Sequence, residues 1–183
     1  PAAMVTTMVK LSFNSHASPH LEPGEVCRRV NEELLETLGD LQHYLTAFFG
    51  VLNLSTGRFQ YACAGHMPPM LFRHHSKTCE KIKARGMFIG VFKNAHYETL
   101  STELKPGDRL LIFTDGVIES RHPEKPLFSY DLLERFLEES HEIPVHSALD
   151  RLMEELALFR EKTPAKDDQA VLFLEYQPLS FNE

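Results

Sequence analysis

The chain opens with apolar residues at helical spacing. Met4, Val5, Met8, Val9 and Leu11 predict a helix over Ala2–Phe13, with Pro1 suited to its first turn, where no amide hydrogen bond is lost. Ser15–Pro23 reads as a loop. A second helix is predicted from Pro23 to Leu38, because Val26, Val30, Leu34 and Leu38 fall four apart and form one stripe; Gly39 is placed to stop it. The period then changes. Tyr44–Leu54 is nearly continuous in apolar, aromatic and β-branched residues, Ser55-Thr56-Gly57 follows, and Arg58–Ala64 alternates, so the pair predicts an antiparallel hairpin. Phe59 and Tyr61 should share one face of the second strand, Arg58 and Gln60 the other. Further strands are predicted at Met70–His74, Cys79–Lys83, His96–Leu104 and Arg109–Thr114, with Pro106-Gly107-Asp108 as a turn between the last two. Two amphipathic helices follow, Tyr130–Ser140 and Val145–Arg160. Pro164 interrupts helical structure within Lys162–Asp168, and Ala170–Tyr176 predicts a final buried strand. Helices, many antiparallel strands, two helices and a strand make an α+β sandwich, with sheets in the middle and helices covering them.

Composition narrows the function. The 183 residues suit one domain, 1–183, and no internal repeat or domain boundary is visible. The formal charge of −7 repels nucleic-acid phosphate and anionic membrane and attracts divalent cations, so neither nucleic acid nor membrane insertion is expected. No apolar run is long enough to span a bilayer. Cys27, Cys63 and Cys79 are scattered and form no CxxC pair, which argues against a disulfide framework or a structural zinc and for a reduced, cytoplasmic setting.

Two acidic segments carry the candidate chemistry. In Leu110–Ser120 (LLIFTDGVIES) an apolar strand ends in Thr114-Asp115-Gly116, a position that can present a carboxylate oxygen to magnesium or manganese. Asp115 can equally cap the next turn. In Lys166–Phe173 (KDDQAVLF) Asp167 and Asp168 stand just before a strongly apolar strand. Like charges there need an offsetting cation or base, and Lys166 could serve without any metal. If the two strands are neighbours, Asp115 and Asp167 meet at one sheet edge.

These segments also carry a family resemblance. PAAM at the start, TAFFGVLNLSTGRFQYACAGHMPPMLF (Thr46–Phe72), GMFIGV (Gly86–Val91), LKPGDRLLIFTDGVIES (Leu104–Ser120) and DDQAVLFLE (Asp167–Glu175) resemble, in order and spacing, the SpoIIE-type (RsbU-like) branch of the protein phosphatase 2C-like PPM superfamily. The resemblance implies a four-layer α-β-β-α sandwich of mainly antiparallel sheets flanked by helices. It implies hydrolysis of phosphoserine or phosphothreonine on a protein, with two manganese or magnesium ions held by aspartates and a metal-bridging water as nucleophile. Asp115 matches the aspartate of the family's T-D-G metal motif. Asp167 matches the metal-binding aspartate of its C-terminal motif, Asp168 is its neighbour, and the Gly116 backbone is a further candidate ligand. The implied setting is bacterial signalling: a STAS-type anti-anti-sigma factor as phosphorylated partner, an upstream sensor or receiver domain, and Ala2–Leu38 as the regulatory moving part. A homodimer is compatible with it.

The sequence departs from the family pattern in two ways. It opens at the P-A-A of a G-H-G-x-P-A-A segment, so the family's upstream G-D-x-x-D element and a further aspartate are not in it. Such cations take about six oxygen ligands each, and the expectation for the chain as it stands is weak or absent activity and reduced stability. Ala170 stands where the family usually carries Thr or Ser. The rival readings are a phosphatase-fold module that binds a regulatory partner without hydrolysis, and an unrelated α+β domain, in which Asp115 and Asp167 would lie far apart. His66 is expected to shape a turn, His74-His75 to lie exposed at a hairpin tip, and Cys63 to pack in a strand with no base to activate it.

Overall fold

The computed structural model describes the backbone of residues 2–38 and 44–178, with side chains over 4–37 and 44–178. Pro1, Gly39 and the Leu38 side chain, each given a role above, lie outside that description. The elements run α1 (Ala2–His16), α2 (Pro23–Leu38), β1 (Ala47–Leu52), β2 (Arg58–Ala64), β3 (Met70–Arg73), β4 (Thr78–Lys81), β5 (Leu100–Glu103), β6 (Arg109–Phe113), α3 (Asp115–Ile118), α4 (Tyr130–Ser140), α5 (Val145–Arg160) and β7 (Val171–Glu175). The class is α+β with two antiparallel sheets, as the pattern predicts. The chain forms two compact units, Pro1–His66 with Lys83–Glu103, and Met67–Ile82 with Leu104–Glu183.

In the first unit the sheet order is β1-β2-β5. The hairpin pairs Ala47 with Ala64 through Leu52 with Phe59. Its turn is built by a residue the periodicity does not single out: Asn53 Oδ1 accepts the amides of Ser55 and Thr56, and Gly57 takes a φ of +73°, which glycine adopts without steric cost. Phe59 and Tyr61 share a buried face, their rings 5.5 Å apart, with Phe48 stacked on both. Val26, Val30 and Leu34 of α2 are buried against Ala62, Ala64, Ile89 and Tyr97. Each large side chain so buried contributes about 1.5–3 kcal/mol. Asn31, also fully buried, donates to the Phe92 carbonyl and accepts the Gly90 amide, both at 2.9 Å, and so ties α2 to the loop that follows Gly86. Two strands are shorter than the apolar pattern predicts. β1 loses its first three predicted residues, where Leu45 pairs with Ile89; β5 begins at Leu100, residues 96–99 having no regular secondary structure.

In the second unit the order is β4-β3-β6-β7. Met70, Phe72, Leu111, Phe113 and Phe173 on one face pack with Leu133, Phe136 and Leu137 of α4 and Ala148, Leu152 and Leu156 of α5. β7 corrects the expectation of a wholly buried strand. It stands at the end of the sheet order and leaves Leu172 56% exposed, and of its residues only Phe173 is fully buried. The Pro106-Gly107-Asp108 turn joins strands of different sheets. Asp108, 1% exposed, accepts from Arg73 Nη1 and from the amides of His74 and Lys105. Arg109 is equally buried; its guanidinium bonds Glu175 and the carbonyls of Ser140 and Ile143, fixing the α4–α5 connection to β6.

Candidate functional site

The register of β6 on β7 decides where the candidate carboxylates go. The two strands run antiparallel, and their pairing ends at Phe113 opposite Val171. Residues just after β6 and just before β7 are therefore neighbours at one end of the sheet. The backbone continues the ladder for one more step, the Thr114 amide donating to the Ala170 carbonyl at 3.0 Å. Thr114 Oγ1 then donates to the Asp168 carbonyl and accepts the Ala170 amide, both at 3.0 Å. Ala170, which lacks the hydroxyl usual in the family, is thus bonded by the hydroxyl of Thr114.

Gly116 is the point of closest approach. A Cβ built on it would stand 2.5 Å from the Asp168 carbonyl oxygen and 3.2 Å from that of Asp167. Only a residue without a side chain lets the Thr114-Asp115-Gly116 turn and the Asp167-Asp168 loop touch. The sequence places these two segments 50 residues apart; the fold brings them into contact, so the reading in which they lie far apart is not met.

All three aspartates are exposed. Asp115 Oδ1 accepts the Gly116 amide at 3.0 Å, and Asp167 Oδ1 accepts the Asp168 amide at 2.8 Å. Each is a bond to the next residue, which fixes the carboxylate and leaves the other oxygen without a protein bond among the described residues. The Asp168 carboxylate makes no bond to a described residue. Lys166, the base that could have offset the acidic pair, is exposed and forms no ion pair with a described residue. In kind, the donors suit a hard divalent cation, which takes carboxylate oxygens. In number, no three His, Cys, Asp or Glu side chains among the described residues converge as a metal cluster. The Gly116 carbonyl, the backbone candidate, has two protein donors. It accepts from Ser120 Oγ at 3.0 Å and from Gln169 Nε2 at 2.9 Å. Gln169 and Ser120 carry no signal in the sequence; their part is set by contacts 53 and 49 residues along the chain.

The other residues weighed from sequence have local roles. His66 accepts the Cys63 thiol on its carbonyl at 3.3 Å, and its ring lies 6.2 Å from that of Phe48. Cys63 is 1% exposed, and burial pushes its thiol above the ordinary value, the opposite of what a nucleophile needs. His74 and His75 are exposed between β3 and β4. No helix among the described residues is long and apolar enough to cross a membrane.

Known proteins share this architecture. The chain is 29% identical over 121 residues to the phosphoserine phosphatase RsbU of Bacillus subtilis, a match covering 66% of this chain and 36% of RsbU. It therefore spans about a third of that relative. The SiaA-PP2C domain of Pseudomonas aeruginosa superimposes with a TM-score of 0.85 at 17% identity, over 97% of this chain and 71% of that one. The phosphatase domain of the cell-fate determinant SpoIIE from Bacillus subtilis, presoaked with Mn, gives a TM-score of 0.61 at 22% identity, over 92% of this chain and 72% of that one. The fold is accordingly that of PP2C-like phosphatase domains. The model of the Stage II sporulation protein E (SpoIIE) family matches residues 1–177, which take in both acidic loops, and the chain belongs to that family.

Proposed function

We propose that this chain is the phosphatase part of a bacterial signalling protein that hydrolyses phosphoserine on a regulatory protein. The observation that carries the reading is the contact between the Asp115-Gly116 turn and the Asp167-Asp168 loop, which brings exposed carboxylates from two distant segments to one sheet end. Asp115 and Asp167 are the proposed ligands of manganese or magnesium, with Asp168 beside them. Their fixed oxygens bond only to adjacent amides, which leaves the outer oxygens without a partner among the described residues and available to a cation. A bound divalent cation supplies positive charge for the phosphoryl oxygens and makes water acidic enough to attack phosphorus. The exposure of all three aspartates leaves room for a phosphorylated side chain of another protein. A STAS-type anti-anti-sigma factor is the proposed substrate, an upstream sensor or receiver domain the proposed controller, and the cytoplasm the proposed site of action.

The test is manganese-dependent hydrolysis of a phosphoserine peptide by the full-length protein, beside Asp115→Asn and Asp167→Asn. Turnover that requires the metal and is lost in both variants supports the reading. No turnover by a folded full-length protein that still captures the phosphorylated partner would replace hydrolysis by binding as the function.

A further inference from the structure

Besides Thr114, a second side chain outside the aspartates joins the acidic loops. Gln169 Nε2 donates to the Gly116 carbonyl at 2.9 Å and lies 2.6 Å from Ser120 Oγ. Ser120 Oγ in turn donates to the same carbonyl at 3.0 Å. A carboxamide nitrogen carries two protons and a hydroxyl one, so this small ring uses every proton it has: two end on the Gly116 oxygen and one on Ser120. Ser120 is 4% exposed and Gly116 is buried, so water does not readily replace the lost partner when one member is removed.

We infer that Gln169 is a positioning residue, which sets the register of the Asp167-Asp168 loop against Asp115 through the Gly116 carbonyl and Ser120. It follows Asp167 by two residues, and its anchor follows Asp115 by one. The inference rests on the proposal that these carboxylates serve a common cation. The Thr114 hydroxyl holds the loop by its backbone, at Asp168 and Ala170. Gln169 adds a second, independent attachment through its side chain. Two attachments over Asp168–Ala170 restrain the loop just after Asp167, and groups that orient metal-binding side chains from behind typically change metal affinity about 10–100-fold when removed.

The experiment compares full-length wild type with Gln169→Leu, which keeps bulk and removes the donors, and Ser120→Ala, which removes one oxygen and keeps the helix. Hydrogen–deuterium exchange is followed by mass spectrometry without metal, in peptides covering residues 110–121 and 166–175, with 47–64 as reference. Free manganese is titrated by electron paramagnetic resonance. Gln169→Leu is expected to exchange about fivefold to tenfold faster in the two loop peptides with the reference unchanged, and to bind manganese about tenfold more weakly. Ser120→Ala should shift both in the same direction by less, and it carries the test if Gln169→Leu does not fold. Wild-type exchange in the loop peptides of both folded variants would overturn the inference, as would faster exchange with unaltered manganese affinity. Wild type that takes up no manganese would instead overturn the metal reading, and the metal-free exchange would still decide whether Gln169 holds the loop.

Discussion

Gly116→Ala isolates the contact on which the site depends. Gly116 lies in α3 and its φ is not in the left-handed region, so alanine meets no backbone strain there. Helix propensity alone favours alanine, by at most about 1 kcal/mol. The added Cβ, however, would stand 2.5 Å from the Asp168 oxygen, 3.1 Å from the Asp168 carbonyl carbon and 3.2 Å from the Asp167 oxygen. These are backbone atoms, so no rotamer change relieves the overlap. Ordinary van der Waals contact begins near 3.4 Å, and the loop has to retreat by about 0.9 Å. Overpacking of this kind costs about 1–3 kcal/mol. Set against the full propensity gain, the net loss is about 0–2 kcal/mol, or up to about 8 °C in Tm for a domain of this size. The retreat also weakens the Thr114 bonds to Asp168 and Ala170, so exchange should quicken in residues 166–170 before it quickens in β6. Thermal unfolding by circular dichroism and exchange by mass spectrometry read the two effects. A Tm equal to or above wild type, with unchanged exchange in the loop, would refute the close approach itself and with it the meeting of Asp115 and Asp167.

Further outcomes follow from other contacts. Manganese at a hundredfold its Kd should stabilise the full-length protein by about 2.7 kcal/mol, and Asp115→Asn should remove that shift in a thermal scan. Asn31→Leu strips the Phe92 carbonyl and the Gly90 amide of their partner and should cost about 1–3 kcal/mol, read as a lower denaturation midpoint. The Ser12 hydroxyl, with His16 behind it, outweighs burial and holds the Glu33 carboxyl below its ordinary value. A depressed folded-state value means stability that is present at neutral pH and lost on acidification through the lowered value. The fall in Tm between pH 7 and pH 3 should therefore be smaller in Glu33→Gln than in wild type. Burial pushes the Cys27 and Cys79 thiols up to about 12, so native protein should resist alkylation at pH 8, while unfolded protein should yield three reactive thiols.

Most elements were legible because burial imposes a period. The α2 stripe, the alternating β2 face and the apolar sides of α4 and α5 each follow from one layer packing on another. Strand ends were less legible. Tyr44–Thr46 and His96–Thr99 have the composition of strands, but only a ladder makes them so: β2 ends at Ala64, opposite Ala47, and its pairing with β5 stops at Tyr61 and Leu100 although β2 itself runs on to Ala64. The polar side chains that bond inside the fold were not legible at all. Asn31, Asp108, Arg109 and Gln169 look in the sequence like ordinary polar residues; each is defined by a partner that the chain reaches only after folding.

The two ends of β6 sharpen that lesson for the candidate site. Asp108 stands before the strand and Asp115 after it, and in the sequence each is a carboxylate beside a glycine at a strand end. Both therefore admit the same reading, a side chain that caps a turn. The fold separates them by saturation. Asp108 is 1% exposed, and both its oxygens accept from inside the protein, from an arginine and two amides, so neither faces solvent unpartnered. Asp115 is exposed, spends one oxygen on the adjacent amide, and lies against a second acidic loop that carries no pairing base. A carboxylate kept for stability is one whose hydrogen-bonding capacity is used up inside the protein. One left half-used and exposed at a fixed position, against a second acidic loop, keeps an oxygen available to a cation from outside the chain. That difference, and not the motif alone, is the reason to test Asp115 and Asp167 by substitution and to keep Asp108 as the control: Asp108→Asn should lower Tm with its effect on manganese affinity small, whereas Asp115→Asn should do the reverse. Equal effects of the two substitutions on manganese affinity would remove the distinction.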